Sequence, residues 1–313
     1  MFSRVLKRLF AVSLLVFSPL FFSPEAAAIG KNKIDLQIAP AVEKITLTPG
    51  TSFSGSYKVM NIGYQKFSYK LYATPYRVID EKYTPDYTKS SSYNQISDWI
   101  SFNRTSGTLE PDEQDIITYT VNVPKDVPEG GQYAVLMAET SDGNTPGATV
   151  GTVTRVGLKL YGRIEGGKTR ECGKILDNKI DGFLFEPPIK ASSLIENCGN
   201  IDVDAKYSLK VAPFYSNQPI FTSEEKPDTA TILPETRRFN ITKWDHSPQI
   251  GIFKVEHTVT AFGQTSRLEQ LVFVIPLWLV ILIIIFLLAV GFWQASRHRQ
   301  RRERRLAEKM HQA

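Results

Sequence analysis

The sequence predicts an all-β protein: two tandem β-sandwich domains followed by one C-terminal transmembrane α-helix. Three observations carry this. Short runs rich in Thr, Tyr, Val and Ile alternate apolar with polar residues and are punctuated by Gly and Pro. One strand-and-turn pattern occurs twice along the chain. Leu271 to Trp293 is a stretch of 23 residues without a charge, enough to cross a hydrocarbon core of roughly 30 Å.

The ends set the topology. Residues 1–28 read as a secretory signal peptide: Arg4, Lys7 and Arg8 form a basic start, residues 9–22 are nearly all apolar, and Ala26-Ala27-Ala28 offers an A-x-A cleavage site. Residues 294–313 are a tail carrying Arg297, Arg299, Arg301, Arg302, Arg304, Arg305 and Lys309. The positive-inside rule keeps such a cluster in the cytoplasm, where it can also touch anionic head groups. The expected protein is single-pass in the plasma membrane with its N-terminus outside. Of the formal net charge of +5, the tail accounts for +5 and the leader for +2, which leaves −2 on residues 29–270. An exported part so nearly neutral lacks the basic patch that nucleic-acid binding requires.

The first domain is expected over residues 29–163. Ile34, Leu36 and Ile38 alternate with Asp35 and Gln37, Ala39-Pro40 breaks that strand, and Leu47-Thr48-Pro49-Gly50 is a turn. Strand character resumes over 53–60, ends at Asn61-Ile62-Gly63 and returns over 67–76. A polar, Tyr-rich insertion, 80–95, precedes Trp99-Ile100-Ser101-Phe102. Ile117, Tyr119, Val121 and Val123 share one face. Pro124, Pro128 and Gly130-Gly131 make a corner. Residues 133–139, apolar up to Glu139, read as a central strand. Residues 141–147, with Asp142 and Asn144, form a hairpin tip, and 149–161 return as the last strand.

The second domain, residues 164–270, repeats this plan after a linker at Gly166-Gly167. Asn197-Cys198-Gly199 echoes Asn61-Ile62-Gly63, Leu233-Pro234 echoes Leu109-Glu110-Pro111, and Gly251-Ile252-Phe253 echoes Gly131-Gln132-Tyr133. Cys172 and Cys198 lie 26 positions apart in a chain bound for an oxidising location. A structural disulfide is expected, worth about 3–4 kcal/mol in the chain-entropy model, with two free thiols as the alternative. The membrane span, 271–293, follows without a stalk, so domain two should sit against the bilayer. Pro276 suits the first turn of a helix; a helix starting there leaves 17 residues from Leu277 to Trp293. Trp278 and Trp293 fit interfacial anchoring.

Enzyme signatures are missing: no G-x-S-x-G, H-E-x-x-H, G-x-G-x-x-G or P-loop occurs. The protein is expected not to be an enzyme, with no metal and no cofactor. His257 falls on the apolar face of an alternating strand and reads as a core histidine; His246 reads as a turn residue. Asp202 and Asp204 share a face with Lys206 and Lys210, which suggests a solvated surface rather than a calcium pair. Leu233-Pro234-Glu235-Thr236 looks like the front of a sortase signal, but Arg237 replaces the required Gly. The most suggestive site is the insertion, where Tyr76, Tyr83, Tyr87, Tyr93 and Trp99 concentrate rings on and around a polar loop. Exposed rings make binding platforms for sugars or protein partners; the alternative is that they cover the sandwich edge, and Trp99 reads as core.

Several segments resemble the WxL-interacting surface proteins of Gram-positive bacteria. They are Gln37-Ile38-Ala39-Pro40, Leu47-Thr48-Pro49-Gly50, the Trp99 block, Leu109-Glu110-Pro111, and above all the run from Val123 through Pro124, Pro128, Gly130, Gly131 and Tyr133 to Ala134. That resemblance implies two Ig-like domains, the first proposed to bind peptidoglycan and the second a host or partner protein. It implies a C-terminal membrane helix with a basic tail, and no catalytic residues. The expected function is membrane-anchored binding of cell-wall polymer or a surface protein. The alternative is a non-enzymatic chaperone or assembly factor, since P-G and N-x-G turns on sandwiches also resemble pilus-type chaperones; a free, long edge strand would favour it. An accessory subunit of a membrane complex, favoured by an apolar patch beside the span, is a further possibility.

Overall fold

The computed structural model describes residues 34–88, 91–140 and 153–311. The expected signal peptide and the hairpin tip with Asp142 and Asn144 lie outside the described residues. The chain folds into two Ig-like sandwiches and one long helix.

Sandwich one is built from β1 (Leu36–Ala39), β2 (Val42–Leu47), β3 (Ser52–Asn61), β4 (Phe67–Pro75), the short pair β5 (Arg77–Val78) and β6 (Pro85–Asp86), β7 (Ile100–Phe102), β8 (Ser106–Leu109), β9 (Gln114–Asn122), β10 (Gly131–Thr140) and β11 (Arg155–Ile164). One sheet has the order β1-β3-β9-β7, the other β2-β11-β10-β4-β8. The chain crosses between sheets at Ala39-Pro40, so β1 pairs antiparallel with β3 while β2 pairs parallel with β11. The alternation read from sequence places Tyr57, Val59, Ile117, Tyr119, Val121, Leu136 and Leu160 in one core between the sheets. Trp99 packs partly buried against it, as expected.

Sandwich two comprises β12 (Gly173–Ile180), β13 (Phe183–Leu184), β14 (Ile189–Asn197), β15 (Val203–Pro213), β16 (Phe221–Thr222), β17 (Asp228–Ile232), β18 (Thr236–Trp244), β19 (Gly251–Ala261) and β20 (Gln264–Val274). Its sheets are β12-β14-β18 and β13-β20-β19-β15-β16, with β17 also on β15. The plan of sandwich one recurs, down to a parallel pair, β13 with β20.

The repeat extends to single hydrogen bonds. Buried Asn61 donates from Nδ2 to the carbonyls of Gln65 and Leu109, and its Oδ1 accepts from the Gly63 N–H. Buried Asn197 does the same with Ile201, Ile232 and Gly199. The turn echo is therefore shifted by one residue: Ile232, not Leu233, matches Leu109. Asp112 and Glu235, each next after the aligned prolines, then both take a positive φ, 63° and 55°. Gly131 and Gly251 also correspond. Each lies under the ring of the aromatic residue two positions on, Tyr133 and Phe253, where a Cβ would collide.

Cys172 and Cys198 form a disulfide with their Cα atoms 4.9 Å apart. It ties the start of β12 to the turn after β14.

The membrane span starts later than expected. Residues 271–274 belong to β20, because Val272 and Val274 are buried in the sandwich and the strand stays paired with β19 as far as Val274. Helix α1 (Leu277–His311) begins just after Pro276, whose carbonyl accepts from the N–H groups of Leu279 and Val280. Its segment Leu277–His298, 22 residues, is long and apolar enough to cross a membrane. Gln294, Ala295 and Ser296 lengthen the uncharged run beyond Trp293, which removes the shortage that 17 residues implied.

Candidate functional site

The sandwiches stand head to tail. In each, the turn after the second long strand marks the top: Asn61–Gly63 in the first and Asn197–Gly199 in the second. The bottom of sandwich one meets the top of sandwich two. Here the Gly131 N–H donates to the Asn200 carbonyl at 2.8 Å, and Asn200 also holds the linker through Lys168 and Arg170.

The aromatic insertion belongs to this junction. It folds against the outer face of the β4-β10-β11 sheet and reaches sandwich two. Tyr76, Tyr133 and Tyr161 are buried in one cluster with Val135, Met137 and Leu233; Tyr72, Tyr83, Tyr87 and Tyr93 pack partly buried against it. Tyr76 and Tyr161 stack with centroids 6.2 Å apart, and Tyr133 meets Tyr161 edge-on at 5.4 Å. The Tyr83 hydroxyl accepts from the Leu233 N–H and bonds Thr236 Oγ1, both at 2.8 Å, while the Arg238 guanidinium lies 4.2 Å from its ring centroid. The Tyr93 hydroxyl donates to Glu235 at 3.0 Å. Burial raises the pKa of Tyr83, Tyr133 and Tyr161 above the ordinary phenol value. Tyr76, Tyr83, Tyr87 and Tyr93 thus come together as expected, but they pack against the outer face of sandwich one, with Tyr83 and Tyr93 bonded to sandwich two, rather than forming an exposed platform. Leu233, front of the sortase-like tetrapeptide, is buried here too.

A second correction concerns Asp202 and Asp204. Asp202 is buried, and Lys44 of sandwich one reaches both carboxylates, at 2.9 Å and 2.8 Å. The Tyr133 hydroxyl adds a bond to Asp202 at 3.2 Å. Burial pulls the Lys44 pKa down, but hydrogen bonds and charge from Asp204 and Asp202 outweigh it and leave it raised. The pair is a junction lock rather than a solvated face. Among the described residues no group of three or more His, Cys, Asp or Glu gathers as a metal site.

Sequence reasoning missed Lys44, Tyr133, Tyr161, Leu233 and Arg238 as partners of the insertion. One signal was present. A strand apolar at every position needs cover on both faces, and a sandwich core supplies only one. β10 is buried at all ten residues: Ala134, Leu136 and Ala138 face the core, while Tyr133, Val135 and Met137 lie under the insertion.

With the insertion committed, one open feature among the described residues is the edge of β18, a longer edge strand than β7, the cover of its counterpart. In sandwich one the matching strand, β9, is covered: β7 pairs with Tyr119, Thr120 and Val121, and Asn103 bonds Thr118 through both its N–H and its side chain. Among the described residues no strand of sandwich two lies there, since β16 and β17 pair with β15 in the other sheet. β18 pairs, among the described residues, only with β14. The Phe239 N–H donates to the Glu81 carbonyl at 2.7 Å, so it points away from β14. By the period of two, the N–H groups of Ile241 and Lys243 point the same way. Phe239 and Ile241 stand exposed at 39% and 50% on the outer sheet face, beside half-buried Leu194 of β14. A cleft of about 470 Å³, lined by Ile79, Glu81, Glu196, Glu235 and Arg237, opens at the upper end of this edge.

No family model matches the chain, and no curated protein matches it. Solved structures similar to it include the class 5 fimbriae chaperone CfaA, 12% identical, with 76% of this chain and 99% of that one covered and a TM-score of 0.37. The E. coli chaperone DraB is 11% identical, with 75% and 97% covered and a TM-score of 0.36. The ASH/PapD-like domain of human CEP192 is 16% identical, with 42% and 87% covered and a TM-score of 0.29.

Proposed function

We propose that this protein is a membrane-anchored, non-enzymatic binding module that holds an extended segment of an exported or surface protein, in an assembly or accessory role. The observation that carries the reading is the uncovered edge of β18. Main-chain groups at Ile241 and Lys243 are free to pair with an added strand, and Phe239 and Ile241 offer apolar contacts for its alternate side chains. Each added backbone hydrogen bond contributes about 0.5–1.5 kcal/mol, so a segment of four or five residues gives a reversible grip. The basic C-terminal part of α1, from Arg297 to Lys309, and the N-terminal leader support an outside location for both sandwiches. Wall-polymer binding loses its carrying observation, because the insertion's rings are used at the junction. The resemblance to WxL-interacting proteins is compatible with a partner on the second sandwich.

The test is site-specific photocrosslinking in intact cells. A crosslinking residue at Lys243 should capture a discrete partner, and one at Lys206, exposed on the opposite sheet, should not. Ile241→Pro removes an N–H that β14 does not use, so the sandwich keeps its pairing. Loss of the Lys243 crosslink in that variant is expected. An unchanged crosslink, or none at Lys243 in the parent, would sink the edge-binding reading.

A further inference from the structure

The bottom of sandwich two, turned away from sandwich one, is ringed by exposed aromatic and apolar side chains. Phe183 of β13 lies opposite Phe273 of β20, and Phe273 opposite Ile252 of β19. The Phe214 N–H donates to the Ile252 carbonyl at 3.1 Å, so the row continues to the end of β15. Phe185 packs edge-on against Phe183 at 5.0 Å, and Tyr215 against Phe214 at 5.3 Å. These rings serve no core: Phe185 and Phe214 are each 52% exposed and Tyr215 is 79% exposed. A contiguous apolar patch of this kind on a soluble surface marks a docking face.

Two observations say what covers it. The first is continuity. Phe273 precedes the first residue of α1 by four positions, roughly 14 Å at about 3.4 Å per extended residue. β20 is held rigidly to that point, because the Phe273 N–H bonds the Gly182 carbonyl and the Ile275 N–H bonds the Leu184 carbonyl, each at 2.9 Å. The second is the internal repeat. In sandwich one the chain leaving β4 at the bottom supplies Tyr76 and Tyr83, which pack against the next body in the chain. In sandwich two the chain leaving β15, the counterpart of β4, supplies Phe214 and Tyr215 at the same end. The next body there is α1 and the bilayer around it.

We infer that this aromatic end docks into the head-group region of the outer leaflet, around the point where α1 enters. The inference rests on reading α1 as the membrane anchor. Tyr215 suits that layer because its ring is apolar while its hydroxyl meets water, and the Phe rings suit shallow burial at the head-group/acyl boundary. Shallow burial of several such rings, added to a spanning helix, gives two fixed points of contact. The sandwich is thereby held at one attitude to the membrane rather than swivelling on Ile275 and Pro276.

The experiment uses the full chain in phosphatidylcholine/phosphatidylglycerol vesicles, with one fluorophore at a time on Phe185→Cys, Tyr215→Cys, Lys206→Cys or Ile284→Cys. The native cysteines are bridged and do not compete. Lipids with a doxyl quencher near the head group should quench the labels at 185 and 215, with none of this loss at 206. A deep doxyl should quench the label at 284. If 284 is quenched while 185 and 215 behave like 206, the docking inference is overturned and the anchor stands. If 284 is not quenched, the anchor reading fails and takes the inference with it. If 185 and 215 are shielded from both lipid and aqueous quenchers, a protein surface covers the collar, which also overturns bilayer docking. Having two collar sites keeps the test valid if one variant misfolds.

Discussion

His257 is fully buried in sandwich two, its Nδ1 2.7 Å from Asn178 Oδ1 and its Nε2 3.3 Å from Thr242 Oγ1. Both partners are neutral, and burial lowers its pKa from 6.5 to about 4. The unfolded chain therefore takes up this proton near pH 6.5, while the folded chain resists it until about pH 4. Between those values the unfolded state binds more protons, so stability falls as pH falls, by up to about 1.4 kcal/mol per pH unit. It is fully present above pH 6.5 and reaches its floor below pH 4. Denaturant melts of the intact protein across this range should show the slope, and His257→Gln should flatten it; equal slopes would rule out His257 as the source. At the junction, Tyr83→Phe leaves the buried Leu233 N–H without its acceptor and removes one of the two bonds of Thr236 Oγ1, which keeps its bond to the Leu233 carbonyl. A loss of about 1–3 kcal/mol is expected, read as faster hydrogen exchange at residues 233–236. Exchange unchanged there would mean the hydroxyl contributes nothing.

At the scale of elements, the two Asn turns are one device used twice. Asn61→Ala and Asn197→Ala each delete three hydrogen bonds made in a buried turn. Each should lower the stability of its own sandwich by about 2–4 kcal/mol. Melts resolved by sandwich check this; a cost at one turn and none at the other would break the equivalence. These turns were legible because N-x-G needs only local chemistry, as were β3, β9, β15 and β19 from alternation. The junction was not. Nothing at Tyr83 says whether its ring faces water or Arg238, since the two are 155 positions apart and meet only through the fold. Apolarity also misassigned residues 271–274, because a strand with Val272 and Val274 inward looks like the start of a membrane span. The open edge of β18 was illegible for a related reason: an edge is defined by which strand is absent beside it, a property of topology and not of residues 236–244.

For the whole molecule, the disulfide stands where the sandwiches join. The turn it closes presents Asn200 to Gly131 and to the linker. Replacing both Cys172 and Cys198 with Ser should cost sandwich two about 3–4 kcal/mol for a loop of this size. It should also raise exchange at residues 168–172 and 198–202, measured on the intact chain. If only global stability falls, the bridge staples sandwich two without organising the junction.

The head-to-tail order has a mechanical consequence. The chain enters sandwich two at the top through β12 and leaves at the bottom through β20, straight into α1. A pull that separates sandwich one from α1 therefore runs along β20. There β20 lies beside β13 in parallel and beside β19 over eleven residues. Such strands are loaded side by side, in shear, and their hydrogen bonds must yield together rather than one at a time. The link between sandwich one and α1 is thus stiffest along the direction in which it would be stretched.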